Sequence, residues 1–348
     1  MTRQTWTAAV SSLCFLVAAV VIAVVPTPFV TYAPGSTSNL LGVAGDADVV
    51  SVEGVQTFPA SGEILATSVN VSSSLSRVAL PEVLYADWAP DRDAVPRDWH
   101  YAVRVTETER TARNAQQSAS SQAYAAASAL RSAGVQVDQI PMVQSVASAG
   151  PAVDLLRQGD FVLAANGTAT PTVAAVRAVV EQLRPGDPIT FTILRDGLQQ
   201  PVTLQLAASN TQSSVPVWGG TLVMGYSYAP QVTFNVAADV GADSGLMLAL
   251  ALFDRVTDGD LVGGQVVAGV GRIDGAGNVS EVTGVHEALA AAEDAGATVF
   301  VLPVSNCADL GNHSDTVRVV SVATLDDAIN ALDALADPAT AGLVEGCS

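Results

Sequence analysis

The sequence predicts a multidomain protein of mixed α/β class with an apolar helix at its N-terminus, and three observations carry that expectation. No charged residue stands between Arg3 and Asp46. Of the 348 residues, 49% are hydrophobic and only 14% charged, a globular composition in a chain long enough for two or three cores. From Pro141 onward, strand-type runs alternate with helix-type stripes, separated by Gly, Pro and Asn-Gly turns.

Residues 8–25 are predominantly apolar and reach roughly 27 Å as a helix, at about 1.5 Å per residue. With their flanks they are long enough to cross a hydrocarbon core, and Pro26 and Pro28 end the run. A cleaved signal peptide is the alternative. Against it, the run is long for a signal sequence, and the small-x-small site Thr31-Tyr32-Ala33 is followed by Pro34. Arg3 and the terminal amine on the short side imply a single-pass anchor in the cell membrane, with the bulk of the chain extracytoplasmic.

Residues 1–30 are therefore read as cytoplasmic tip and transmembrane anchor, and 31–131 as a β-rich segment plus a long helix. Within the latter, Val49-Val50-Ser51-Val52 and Ile64-Leu65-Ala66-Thr67-Ser68-Val69 are β-type runs. Residues 106–130 have helix composition, with Thr106 and Glu109 spaced as a capping box and Gly134 as the stop. A compact β-rich domain over 132–207 follows, with strands at 141–146, 161–165, 189–194 and 202–204 and a helix at 173–183. Beyond a linker at 209–216, residues 217–340 form an α/β domain. It has a strand at 232–236, an apolar helix at 246–253, strands at 266–273 and 299–303, and helices at 285–295 and 325–335.

The charge balance excludes several functions. All 15 basic residues are arginines against 34 acidic ones, a formal net charge of −19, so the surface repels phosphate backbones and nucleic acid is not a partner. With no lysine and no Gly-Lys-Ser/Thr loop, ATP is not expected either. His100, His286 and His313 show no ligand spacing, so no metal and no cofactor is expected. Cys14 lies in the apolar run as a small hydrophobe; Cys307 and Cys347 remain as a disulfide pair in an oxidising compartment or, alternatively, as two thiols.

In that order, Gly159-Asp160, Asn166-Gly167, Pro185-Gly186-Asp187 and Arg195-Asp196-Gly197 resemble a PDZ domain of the bacterial peptidase-associated type, over residues 132–207. The resemblance implies peptide capture by strand addition at a sheet edge, with the carboxylate-holding loop near Ser132, Ala133, Gly134 and Val135. A PDZ domain that only spaces or gates its neighbour is the other reading.

The third unit has its own resemblance. Gly245-Leu246-Met247, Asp260-Leu261, Gly263-Gly264, the run from Ala268 to Ile273, Gly277-Asn278-Val279, Gly284-Val285 and Ala295-Gly296-Ala297 are similar to the Lon-type peptidase domain. The whole order resembles the membrane-anchored PDZ–Lon-like proteins of Gram-positive bacteria, the YlbL-like family. That resemblance implies a serine endopeptidase in which a buried neutral lysine takes the proton of an attacking serine. The family's Gly-Pro-Ser-Ala-Gly turn reads here Gly241-Ala242-Asp243-Ser244-Gly245, and its lysine position is Ala288. Both halves of the dyad are absent, leaving Ser244 as the candidate nucleophile. His286 lies about 200° around the helix from Ala288, and Glu287 is a weak base unless its pKa is raised. The expectation is a membrane-tethered, catalytically inactive peptidase homologue that binds peptides or proteins, as a homo-oligomer or with an active paralogue. The alternative is an active ATP-independent endopeptidase using Ser244.

Overall fold

The computed structural model describes residues 3–73, 76–101, 105–237, 240–311 and 316–347. His313 lies outside them. The chain divides into two compact units: a larger one from Met1–Ala133 together with Val232–Ser348, and a smaller one, Gly134–Gln231, inserted into its sequence.

The larger unit begins with α1 (Arg3–Val24), whose residues 4–24 have a mean hydropathy of 2.5 and are long and apolar enough to cross a membrane. Pro26, which lacks an N–H, follows it and forms a β-bridge with Ala79. The chain then forms β1 (Phe29–Asn39), β2 (Glu63–Val71), α2 (Leu80–Trp88), β3 (Asp93–Pro96) and α3 (Arg97–His100). The long helix α4 (Glu107–Ser132) starts in a complete capping box. The Thr106 hydroxyl accepts from Glu109 N–H at 3.3 Å, and the Glu109 carboxylate accepts from Thr106 N–H at 2.9 Å. Its buried residues, Ser121 and Ala125 to Leu130, are small but for the last, so it packs closely on α6 (Gly245–Val256).

The smaller unit consists of β4 (Asp138–Val146), β5 (Phe161–Ala165), α5 (Val173–Glu181), β6 (Pro188–Arg195), β7 (Leu198–Gln205) and β8 (Gly220–Ser227). Its sheet runs β7-β6-β5-β4-β8, with Thr168–Ala169 paired to β5. Asn166 (φ 46°) with Gly167 (φ 76°) and Asp196 (φ 52°) with Gly197 (φ 76°) occupy the left-handed region that tight hairpin turns require. Phe191, Ile189, Ile193, Val162, Val176 and Trp218 fill the core.

The larger unit resumes with α6 (Gly245–Val256), β9 (Val266–Gly269), α7 (Val285–Asp294), β10 (Val299–Pro303), β11 (Arg318–Val322) and α8 (Leu325–Ala336). Its sheet runs β11-β10-β9-β2-β1-β3. The pairs from β11 to β2 are parallel, whereas β1 is antiparallel to both β2 and β3. Residues Leu246 to Leu252 of α6 are all fully buried, the pattern of a core helix rather than a surface one.

Three segments differ from the sequence expectation, and the first is 217–231, expected to open the α/β domain but placed in the smaller unit, where Gly220–Ser227 forms β8. The β-rich segment before residue 131 is not set apart: β2 pairs with β9, about two hundred positions later, so it completes the sheet of the C-terminal residues. The expected strand at 266–273 breaks after Gly269, where a Cβ would run into the Val301 carbonyl, and resumes as Arg272–Ile273.

Candidate functional site

In the larger unit, the turn before α6 holds Asp243 and Ser244. Gly245 opens the helix against α4, where a Cβ would lie 2.6 Å from Ser121 Oγ. Asp243 is engaged twice: its Oδ1 accepts from Arg272 Nε at 2.6 Å and its carbonyl from Gly271 N–H at 2.7 Å. Both side chains of that ion pair are roughly half exposed, 51% and 41%. Ser244 is 2% exposed and its N–H donates to the Gly241 carbonyl at 3.3 Å. A serine so buried meets no substrate without movement.

On α7, Ala288 is fully buried among Val285, Leu289 and Ala292. A methyl group there has no proton to exchange. Its neighbour Glu287 is 1% exposed, and neither carboxylate oxygen has a hydrogen-bond partner among the described residues. Burial pushes its pKa up to about 7, assisted by the negative charges of Asp93 and Asp91, while its own backbone N–H opposes the shift. His286 is half-buried beside it.

β1 runs close to α7, where a Cβ on Gly284 would come within 3.4 Å of Tyr32 Cδ1. Tyr32 Oη and His100 Nδ1 are 2.5 Å apart, with the rings edge to face. Burial, then the Glu287 charge, pushes the Tyr32 phenol up to about 12, and burial lowers the pKa of His100. This Tyr32–His100 pair was not legible in the sequence: 68 positions separate the two residues, and no motif joins them.

In the smaller unit, β8 ends the sheet on one side, and α5 lies alongside it. β8 pairs antiparallel with β4 from Gly220 opposite Val146 to Ser227 opposite Asp138. The chain enters it through Trp218, packed on Phe191 with centroids 6.0 Å apart, and Gly219 at φ 89°. A Cβ on Gly219 would lie 3.1 Å from Pro151. Leu222 packs against the core with Val179 and Leu183 of the helical segment. Just before β5, Asp160 is buried and receives Arg195 Nε at 2.7 Å and Nη2 at 2.5 Å. Burial raises the Asp160 pKa, but the Arg195 hydrogen bonds and the Arg157 N–H outweigh it and hold it below the usual carboxylate range.

The residues expected to hold a ligand carboxylate lie where α4 passes into β4. Ser132 ends α4 and donates to Asp326 Oδ1 at 2.6 Å, Ala133 caps the same helix, Gly134 takes φ 79°, and Val135 precedes β4. β4 is flanked on both sides, by β5 and β8. Cys307 and Cys347 form a disulfide with Cα atoms 5.2 Å apart. Among the described residues, no cluster of three His, Cys, Asp or Glu side chains could hold a metal ion.

Three comparisons bear on these sites. No curated protein matches the chain significantly. Among solved structures it is similar to the PDZ domain of an SdrC-like protein from Listeria monocytogenes, at 24% identity over 24% of this chain and 86% of that one, TM-score 0.23. The corresponding domain from Listeria innocua gives 19% identity over 24% and 93%, TM-score 0.23. A protein from Geobacillus thermodenitrificans gives 26% over 24% and 95%, TM-score 0.22. A family model described as the PDZ domain matches residues 116–206, beginning inside α4 and stopping short of β8. With that match spanning β4 to β7 and the helix between them, the chain carries a PDZ domain.

Proposed function

We propose that this is a membrane-tethered, extracytoplasmic protein that binds peptides or proteins through its PDZ domain. In this reading its larger unit is a Lon-type peptidase homologue without catalytic function. The observation that carries the binding function is β8, a terminal strand flanked by α5 and entered through the Trp218-Gly219-Gly220 turn. An extended peptide would add to its outer edge by backbone hydrogen bonds, its last side chain lodged near Leu222 and its carboxylate at the turn. This assigns the anchoring role to residues 218–220 in place of 132–135. The anchor reading is supported by α1, and the extracytoplasmic placement by the Cys307–Cys347 disulfide, which persists in oxidising compartments.

The absence of hydrolysis is supported by Ala288 at the lysine's place and by an Asp243 already paired to Arg272. Two experiments test the proposal. Full-length protein is expected to retain C-terminal peptides from a displayed library and to lose at least tenfold in affinity on Leu222→Glu; unchanged binding would sink the assignment of the edge. Fluorophosphonate is expected to leave Ser244 unlabelled, and labelling abolished by Ser244→Ala would establish the peptidase instead.

A further inference from the structure

The helix α2 shows an unusual distribution for a protein in water. At about 100° per residue, Leu80, Leu84, Trp88 and Tyr85 fan over one arc of roughly 140°, opposite the buried Val83 and Ala86. They are 37%, 57%, 85% and 55% exposed. Glu82 and Asp87 stand at the two borders between the arcs. A third large ring, Trp99 of α3, is 81% exposed. Single exposed apolar residues are ordinary; a contiguous aromatic and leucine stripe is not.

The position of these rings in the chain says what covers them. Both helices are bonded to the few residues that leave α1. Pro26 bridges Ala79, the residue before α2, and Thr27 donates through N–H and Oγ1 to the Val78 carbonyl at 2.8 and 2.9 Å. Arg97, the first residue of α3, donates to the Pro28 carbonyl at 2.9 Å, and Phe29 pairs with Pro96. A helix able to cross a membrane therefore emerges, after one residue, directly into the base of the exposed stripe.

We propose that the Leu80–Leu84–Tyr85–Trp88 face, with Trp99, seats in the headgroup region of the same bilayer that α1 spans. Tryptophan and tyrosine favour that layer because their ring is apolar and one end hydrogen-bonds to water or lipid. Arg77, two residues before the bridge, is exposed and reaches phosphate while its stem lies along lipid. The contact is made by the rings rather than by charge, since Glu82, Asp87 and Asp98 border them. Its effect is to fix the orientation of the larger unit at the membrane surface.

This rests on the anchor reading, and the four tryptophans separate the two claims. Trp6 lies in α1, Trp88 and Trp99 on the proposed face, and Trp218 in the PDZ core. Full-length protein in phosphatidylcholine nanodiscs with chains brominated near the headgroup is expected to be quenched. The double substitution Trp88→Phe with Trp99→Phe should remove about two thirds of that quenching, as two of three lipid-facing indoles, and Trp6→Phe about one third. Quenching that survives the W88F/W99F pair but falls with W6F overturns the proposal and leaves the anchor intact. No effect of W6F overturns the anchor itself. Trp88 and Trp99 shielded from both brominated lipid and aqueous acrylamide would mean a protein partner or a second copy covers the face, and the lipid assignment would be wrong. Quenching that appears only when phosphatidylglycerol is added would place the attraction in the arginines and overturn it as well.

Discussion

A carboxyl group withdrawn from water keeps its proton to higher pH than one in solution, and Glu287, 1% exposed, is in that position. Its pKa rises from 4.5 to about 7 on folding. A raised carboxyl pKa means that its stabilising contribution is fully present below pH 4.5 and is lost as pH rises through 7, up to about 3 kcal/mol. Buried Asp254, also shifted upward by burial, adds in the same sense, and His100, shifted downward, works against both. Comparison with Glu287→Gln isolates the one group. Urea midpoints of the variant should fall less between pH 5 and 8 than those of the parent, and parallel curves would refute the shift. The Asp243–Arg272 pair is different. Being half exposed, it should change stability by less than about 1 kcal/mol when either side is made Ala, in the same urea measurement.

At the scale of elements, local signals determined what could be read in advance. The α4 cap was visible as Thr106 and Glu109, and Thr106→Ala should cost about 1 kcal/mol of helix stability by thermal melting. The smaller sheet was legible because Asn-Gly and Asp-Gly turns mark its hairpins at 166–167 and 196–197. β1 was hidden by Pro34 and Gly35, which sit at its register shift, and α2 by its exposed apolar arc, which breaks the polar-outside pattern. The role of β8 was hidden for another reason: nothing local says that residues 220–227 return to pair with 138–146. The Cys307–Cys347 link closes 40 residues around β11 and α8. Reducing it should lower stability by about 4 kcal/mol at most in the chain-entropy account, read as a drop in urea midpoint at constant pH.

For the whole molecule, the acidic balance of −19 and the one helix among the described residues long and apolar enough to cross a membrane lead to a simple fractionation result. The full chain should stay with the membrane after an alkaline carbonate wash, and a form lacking residues 1–25 should be released into the supernatant. Retention of the shortened form by vesicles of neutral lipid would point to the face on α2, and its retention by nucleic acid would contradict the charge argument.

The pairing of Ile64 with Val267 and of Leu65 with Ala268 has a consequence for biogenesis. As the polypeptide is threaded out from its N-terminus, β2 has its parallel neighbour missing until some two hundred further positions have followed, while the PDZ strands already have all their mates. Long loop closure is slow, and a waiting strand edge invites foreign pairing. The PDZ unit should therefore mature first, and the larger unit should depend on holding factors until the last third arrives. Pulse-labelled chains should accordingly yield a protease-resistant fragment near 134–231 before any resistant product of full length.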